Sequence, residues 1–380
     1  MADTRSRWPP RWSQVLLWGM GLALVLALPS LVSPFRLNLL GRYLSLAIVA
    51  LGIDLIWGYT GLLSLGQGIF FALGGYGAAM HLQLNCHSCS RAAGGLPEFF
   101  GLYGVQQLPW FWEPFHSPWF TLVAIWLAPA LVAGLLGFLV FRNRIKGVYF
   151  SILTQAALLV FFNFFNGQQK LINGTNGLKT DLTRLLGMMV GSDAMQRNLF
   201  WLTALLALLT WLLCRRLVVG GRFGHALLAI RDDEARLRCL GYNPTPFKTM
   251  VFALAGGLAG ISGALYTVQS GIVSPQFMAA PFSIEMVIWV AVGGRGTLWG
   301  AMAGALVINM AKSLVSEAWP QTWLFIQGGL FLLVVTTLQG GVVGWFQEGG
   351  PRRLLARLGW RTRLSTYPAL ELETGPEGED

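Results

Sequence analysis

Few residues in this chain have a type and spacing that could do chemistry. Cys86 and Cys89 form a C-H-S-C pair, which suits a metal or a local disulfide. No second ligand pair follows at a finger-like distance, and the haem order C-x-x-C-H is absent. A disulfide on an oxidising face, or two plain thiols, is expected ahead of a metal site. His81, His87, His116 and His225 stand in loops or at the ends of apolar runs. No cluster of histidine, cysteine and carboxylate therefore supports a nucleophile or a metal-bound water. There is no G-x-x-x-x-G-K-[ST] phosphate loop, and Gly294-RGTLW-Gly300 has the wrong spacing for a dinucleotide fingerprint. Catalysis by this chain, and a metal held by it, are not expected.

Three ionisable residues, Asp54, Glu285 and Arg295, fall in or beside long apolar runs. An unpaired charge at a membrane centre costs at least about 2.5 kcal/mol. Each is expected near an interface, paired, or along a polar route. Glu285 and Arg295 are ten residues apart around a turn. A structural ion pair is the default for them, and a role along a solute route is the sharper alternative.

One long segment, 219–249, is both polar and helix-patterned. Ala226, Leu227, Ile230, Leu237 and Leu240 recur every three to four residues and would form a narrow apolar stripe. Arg231, Asp232, Asp233, Glu234, Arg236 and Arg238 would occupy the other faces. Gly220 and Gly221 precede the helix, and Asn243-PT-Pro246 stops it. With seven Lys and Arg from Arg215 to Lys248, it is expected on the cytoplasmic side of a membrane, against a larger partner. A solvated helix that caps a loop is the plainer alternative.

The elements around it are membrane-grade hydrophobe. Of 380 residues, 54% are hydrophobic and 12% charged, about half the charged share of a soluble domain. The expected fold is all-α, a polytopic helical membrane protein. The net charge of +10 reports topology rather than nucleic acid, because most Lys and Arg lie in short loops beside apolar spans. Four cysteines are too few for a disulfide scaffold. Cys214 and Cys239, near the inner face, are expected to be reduced packing residues.

After Arg5, Arg7 and Arg11, the run 14–32 resembles a secretory signal, but no A-x-A site follows and it is read as the first span. Further spans are expected at 37–57, 62–82, 119–141, 147–165, 199–213 and 248–268, near the roughly 17 to 25 residues that cross about 30 Å of hydrocarbon. Placing both termini and the basic loops inside demands an even number of crossings, about ten. Residues 284–315 and 323–338 must then supply three of them. Ile284 to Val292 is too short to cross and reads as a broken or re-entrant helix, with a turn at Val292-GGRGTLW-Gly300.

The chain thus divides into a cytoplasmic tail at 1–13, a transmembrane domain at 14–345 and a tail at 346–380. The domain carries outside loops at 83–118 and 167–198 and the inside polar region at 219–248. The second tail is basic, then acidic, without apolar pattern, and is expected to be disordered. Leu108-PWFWEPFHSPWF-Thr121 would sit at headgroup level as an aromatic belt. Gly58 to Gly77, Gly256 to Gly263 and Gly293 to Gly304 are rich in glycine. These either bring helices close or allow breaks that expose backbone to a passing solute.

Gly58-YTGLLSLGQGIFFALGGY-Gly77, GRFGHALLAIRDDEARLRCLGYNPTPFK, AGGLAGISGALY and VAVGGRGTLWGAMAGAL together resemble the membrane subunit of branched-chain-amino-acid-type ABC importers. The likeness runs from Gly41 to Trp345. LPWFWEPFHSPWF, GVYFSILTQA, the NGTNGL loop and SIEMVIWVAVGGRGT are most similar to the second permease of urea ABC importers. Many relatives carry His where this chain has Gln67, so no titrating group stands there. The C86-H-S-C89 insertion is a second departure and leaves that loop's role open.

The resemblance implies a multi-pass subunit of the bacterial inner membrane, surrounded by lipid and paired with a second homologous permease. Two cytoplasmic ATPase subunits would bind ATP and Mg, a periplasmic binding protein would deliver the solute, and this chain would carry no cofactor. Arg222, Gly224, Ala226, Ile230, Arg231, Asp232, Glu234, Arg236 and Arg238 would form a coupling helix that sits in an ATPase cleft and moves as a rigid body. The implied cargo is urea or a short-chain amide, with branched-chain or other amino acids as the alternative. An ion-coupled secondary transporter is a third reading, for which Asp54 and Glu285 are thin support. A neutral solute needs hydrogen-bonding groups and no strong field, so Tyr59, Ser64, Gln67, Tyr76 and Asn309, with Glu285 and Arg295, are the expected route.

Overall fold

The computed structural model describes residues 29, 32–86, 96–145, 147–185, 187–218, 221–319, 322, 325–329, 332–333 and 341–347. The expected first span, Cys89, much of the expected span at 323–338 and the tail beyond 347 lie outside these residues. Nine long helices follow one another among them: α1 Pro34–Thr60, α2 Gln67–Leu84, α3 Pro118–Arg142, α4 Val148–Gly167, α5 Asp193–Val218, α6 Arg222–Cys239, α7 Pro244–Ser270, α8 Ala280–Gly293 and α9 Leu298–Ala318. Proline in the first turn opens α1, α3, α7 and α8, where its missing N–H has no partner to lose. Asn243 Oδ1 accepts the Thr245 N–H at 3.1 Å and caps α7. Gly61 and Gly271, at φ 76° and 80°, end α1 and α7 in the left-handed conformation.

Six of these helices, α1, α3, α4, α5, α7 and α9, are long and apolar enough to cross a membrane. The expected run at 62–82 becomes helical only at Gln67, because residues 61–66 leave α1 as irregular chain. α2 has 18 residues and α8 has 14. At 1.5 Å per residue they reach about 27 and 21 Å, short of about 30 Å of hydrocarbon. α8 is the short helix anticipated at 284–292, and it starts four residues earlier.

α7 is the inner post of the bundle. In its most apolar stretch 78% of residues are buried, as in α1, against 22% in α3 and 17% in α4, which turn apolar faces outward. Small residues let neighbours close on it. A Cβ on Gly263 would overlap the Phe71 carbonyl of α2, one on Gly74 would overlap the Gly260 carbonyl, and one on Gly256 would overlap Ala133 of α3. For these glycines close packing, not a solute route, explains the residue. Phe70 and Phe150 meet Phe252 edge-to-face at 5.5 Å and fill the space between α2, α4 and α7. Polar bonds join α1, α5 and α7: Asn38 Nδ2 donates to Gln196 Oε1 at 2.5 Å and to the Gln269 carbonyl at 2.9 Å, and Gln269 Nε2 donates to Thr203 Oγ1 at 2.7 Å.

At the end of the bundle away from α6, β1 (Leu178–Lys179) pairs antiparallel with β4 (Ile272–Val273). β2 (Arg184–Leu185) and β3 (Met188–Met189) form a hairpin between them in the chain. The aromatic stretch divides: Trp110 and Trp119 are 81% and 79% exposed, whereas Trp112 is buried and donates Nε1–H to the Leu171 carbonyl at 3.2 Å. Cys86 is disulfide-bonded, while Cys214 and Cys239 are free thiols, the first buried and the second exposed.

Candidate functional site: a joint between the polar helix and the bundle

α6 is the polar helix anticipated at 222–238, but it breaks at Asp233 (φ −155°, ψ 96°). The cause is local. Asp233 Oδ1 accepts the Ala235 and Arg236 N–H groups at 2.9 and 3.0 Å and caps a second, separate half. The apolar stripe therefore does not run through. Gly224, Leu227 and Ile230 are buried, Ala226 and Leu237 are half-buried, and Leu240 is exposed. Beyond the break, Glu234 bonds Arg238 at 2.9 Å and the buried Lys248 of α7 at 2.5 Å. Glu234 and Arg238 thus hold the chain to itself, while Arg222, Asp232 and Arg236 remain on the exposed face.

Arg231 turns back toward the bundle. Its Nη1 donates to the Gly58 carbonyl at 2.9 Å. Arg295, in the turn between α8 and α9, donates Nε–H to the Trp57 carbonyl at 3.2 Å and lies over the Trp57 ring at 5.1 Å. Both carbonyls belong to the last turn of α1, which carries partial negative charge, and the Trp57 carbonyl also accepts the Gly61 N–H at 3.2 Å. The same turn is tied from the other side. Asp54, fully buried, accepts the Gly296 N–H at 2.6 Å, and the Tyr59 hydroxyl donates to the Gly296 carbonyl at 3.1 Å. Gly58 has no room for a side chain, since a Cβ there would lie 2.5 Å from Asp54 Oδ1 and 2.6 Å from the Gly296 nitrogen. Partial burial, and then the neighbouring Arg231 charge, pull the Arg295 guanidinium below its ordinary range, with Asp54 acting in the opposite direction. α1, α6 and the α8–α9 turn are thereby joined by a small set of charge-assisted bonds.

The expected Glu285–Arg295 pair does not form. Ten residues of α8 and its turn separate them by about 15 Å along the axis. Glu285 instead receives the Lys312 ammonium of α9 at 2.8 Å on both oxygens, so the α8–α9 hairpin carries its own internal ion pair. The structure also divides the expected route. Tyr59 and Arg295 belong to the joint, Asn309 donates within its own helix to the Ala305 carbonyl at 2.7 Å, and Tyr76 lines a mostly apolar cavity of about 360 Å³ with Trp112, Phe115, Phe164 and Phe165. Ser64 and Gln67 lie at the irregular start of α2. There Leu65 N–H donates to Thr154 Oγ1 and Gly68 N–H to Ser283 Oγ, each at 3.1 Å. Gln67 is 1% exposed, and neither its Oε1 nor its Nε2 has a hydrogen-bond partner. A buried group left unpaired in this way costs about 1–3 kcal/mol.

Lys312, Thr154 and Ser283 are absent from the sequence-based site. Lys312 carried a readable signal, a lone cation in an apolar run. Thr154 and Ser283 carried none, because hydroxyls in membrane helices commonly bond their own backbone. Among the described residues no three His, Cys, Asp or Glu side chains gather as metal ligands.

The family model for the permease component of branched-chain amino acid transport systems matches residues 35–335. The chain is 25% identical over 339 residues to the high-affinity branched-chain amino acid transport system permease protein LivM of Salmonella typhimurium, covering 84% of this chain and 72% of that one. It is 22% identical over 310 residues to LivH of the same organism, covering 78% and 91%. The autoinducer 2 import system permease protein LsrC of Salmonella choleraesuis is 32% identical over 167 residues, 41% of this chain and 46% of that one. No solved structure matches the chain. With a match that spans the bundle, the joint and the α8–α9 hairpin, this chain belongs to the family of branched-chain amino acid transport system permease components.

Proposed function

We propose that the chain is one of two permease subunits of an ATP-driven ABC importer of the bacterial inner membrane, and that its cargo is urea or a short-chain amide. The observation that carries the first part is the joint. α6 presents Arg222, Asp232 and Arg236 outward, while Arg231 bonds the end of α1. A push on α6 by ATPase subunits would therefore reach α1 and the α8–α9 turn directly. Both termini and α6 lie on the cytoplasmic side in this reading, and the β1–β4 end faces the periplasmic binding protein. The likeness to both LivM and LivH supports a partnership of two related permeases.

Urea is supported by the segments at 108–120 and 283–297 and by the polarity of the interior. Glu285 is engaged by Lys312 on both oxygens and Asp54 by the Gly296 N–H on one, its other oxygen staying buried and unpaired, and the remaining buried polar groups are mostly neutral. A zwitterion would have to shed two strongly hydrated ends, at several kcal/mol each unless paired. Urea exchanges only neutral hydrogen bonds. A second reading, branched-chain amino acids, is favoured by the names of the LivM and LivH relatives. The two separate in proteoliposomes holding the full complex, given labelled urea or labelled leucine at low concentration. Saturable, ATP-dependent uptake of urea without leucine is expected. Leucine uptake without urea would reject the urea reading.

A further inference from the structure

We propose that the junction of α2, α4 and α8 inside the bundle is a recognition site for one small neutral amide, with Gln67 as its contacting side chain. This deepens the urea reading above and rests on it. α2 and α8 both begin within the bundle, and their first turns meet. The Gly68 N–H donates to Ser283 Oγ at 3.1 Å, and a Cβ on Gly68 would lie 2.5 Å from the Phe277 carbonyl and 2.7 Å from Ser283 Oγ. From α4, Thr154 Oγ1 accepts the Leu65 N–H at 3.1 Å, and Ser151 Oγ donates to the Leu63 carbonyl at 2.7 Å. Two helix N-termini thus converge, with the Gly68 N–H held by Ser283 Oγ and the Ser283 N–H by the Ala279 carbonyl at 3.3 Å.

Gln67 supplies the second, independent observation. It is the first residue of α2, 1% exposed, and both polar ends of its amide are without a partner. Ser64, Gln67 and Ser283 provide N–H and O–H donors and carbonyl and hydroxyl acceptors, and no charge, while the Thr154 hydroxyl is committed to the Ser151 carbonyl at 3.0 Å. A planar amide uses both kinds at once. Its carbonyl oxygen accepts from the Gln67 Nε2–H or the Ser283 hydroxyl, and its own N–H groups donate to Gln67 Oε1 or Ser64 Oγ. An ammonium or a carboxylate would find no counter-charge among these groups.

Gln67→Met keeps the size of the side chain and deletes both ends of its amide. In the reconstituted complex, urea delivered per ATP hydrolysed is expected to fall at least tenfold. The melting temperature of the assembly should stay level or rise, because unpaired polar atoms leave the interior. An unchanged ratio would overturn the site while the urea reading stands. Should Gln67→Met fail to assemble, Ser283→Ala decides: a threefold or greater fall in the same ratio supports the site, and a wild-type ratio overturns it. A wild-type complex that carries leucine and not urea removes the urea reading, and the amide site with it.

Discussion

Arg231→Ala, in the assembled transporter, is expected to leave ATP hydrolysis running and to cut solute delivery at least tenfold. The variant removes the bond from α6 to the Gly58 carbonyl. It leaves α6 otherwise attached, through buried Leu227 and Ile230 and through Glu234 to Lys248. A hydrogen bond to a charged group contributes about 1.5–3 kcal/mol, and a tenfold change in rate corresponds to about 1.4 kcal/mol. Loss of this one bond is therefore enough to loosen transmission without undocking the helix. Arg236→Glu should behave differently. Arg236 is exposed and bonds nothing in the bundle through its side chain among the described contacts, so its reversal should weaken co-purification with the ATPases. Parallel assays of ATPase rate, urea uptake and co-purification distinguish the two. A wild-type ratio of uptake to hydrolysis in Arg231→Ala would show that the joint does not transmit.

Gly263→Leu is expected to prevent the bundle from closing. The added Cβ alone would overlap the Phe71 carbonyl, and backbone on two packed helices cannot give way as a flexible side chain can. Overpacking a core costs about 1–3 kcal/mol where side chains adjust, and more where they cannot. The variant should yield no monodisperse protein by size-exclusion chromatography in detergent. Gly134→Ala is the matched control, since its Cβ would meet only the Ala253 Cβ at an ordinary 3.5 Å. A monodisperse Gly263→Leu with wild-type melting would contradict the close α2–α7 contact.

Among the described residues, hydropathy located six helices long and apolar enough to cross a membrane, because burial in lipid demands long apolar runs. About ten crossings were expected, however, and the run at 62–82 yields only the shorter α2; that α8 is too short to cross was legible from its length. Glycine clusters were ambiguous in sequence, since close packing and a solute route use the same residue. Only the position of Phe71 and Ala133 against α7 separates the two. Glu285 and Arg295 do not pair because nearness in sequence is not nearness in space. Lys312, 27 residues from Glu285, reaches it only because α8 and α9 fold back on each other. The break at Asp233 could have been anticipated from a capping side chain inside a helix pattern. That the exposed Arg231 reaches back to the Gly58 carbonyl while Arg236 stays clear of the bundle could not, because a kinked helix no longer keeps one periodicity.

If α6 is where ATP-driven motion enters, a photo-reactive amino acid at position 236 should cross-link to an ATPase subunit in the transporting complex. The yield should change when ATP is trapped on that subunit. Cross-links confined to lipid or to this chain, in a complex that still transports, would contradict that role for α6.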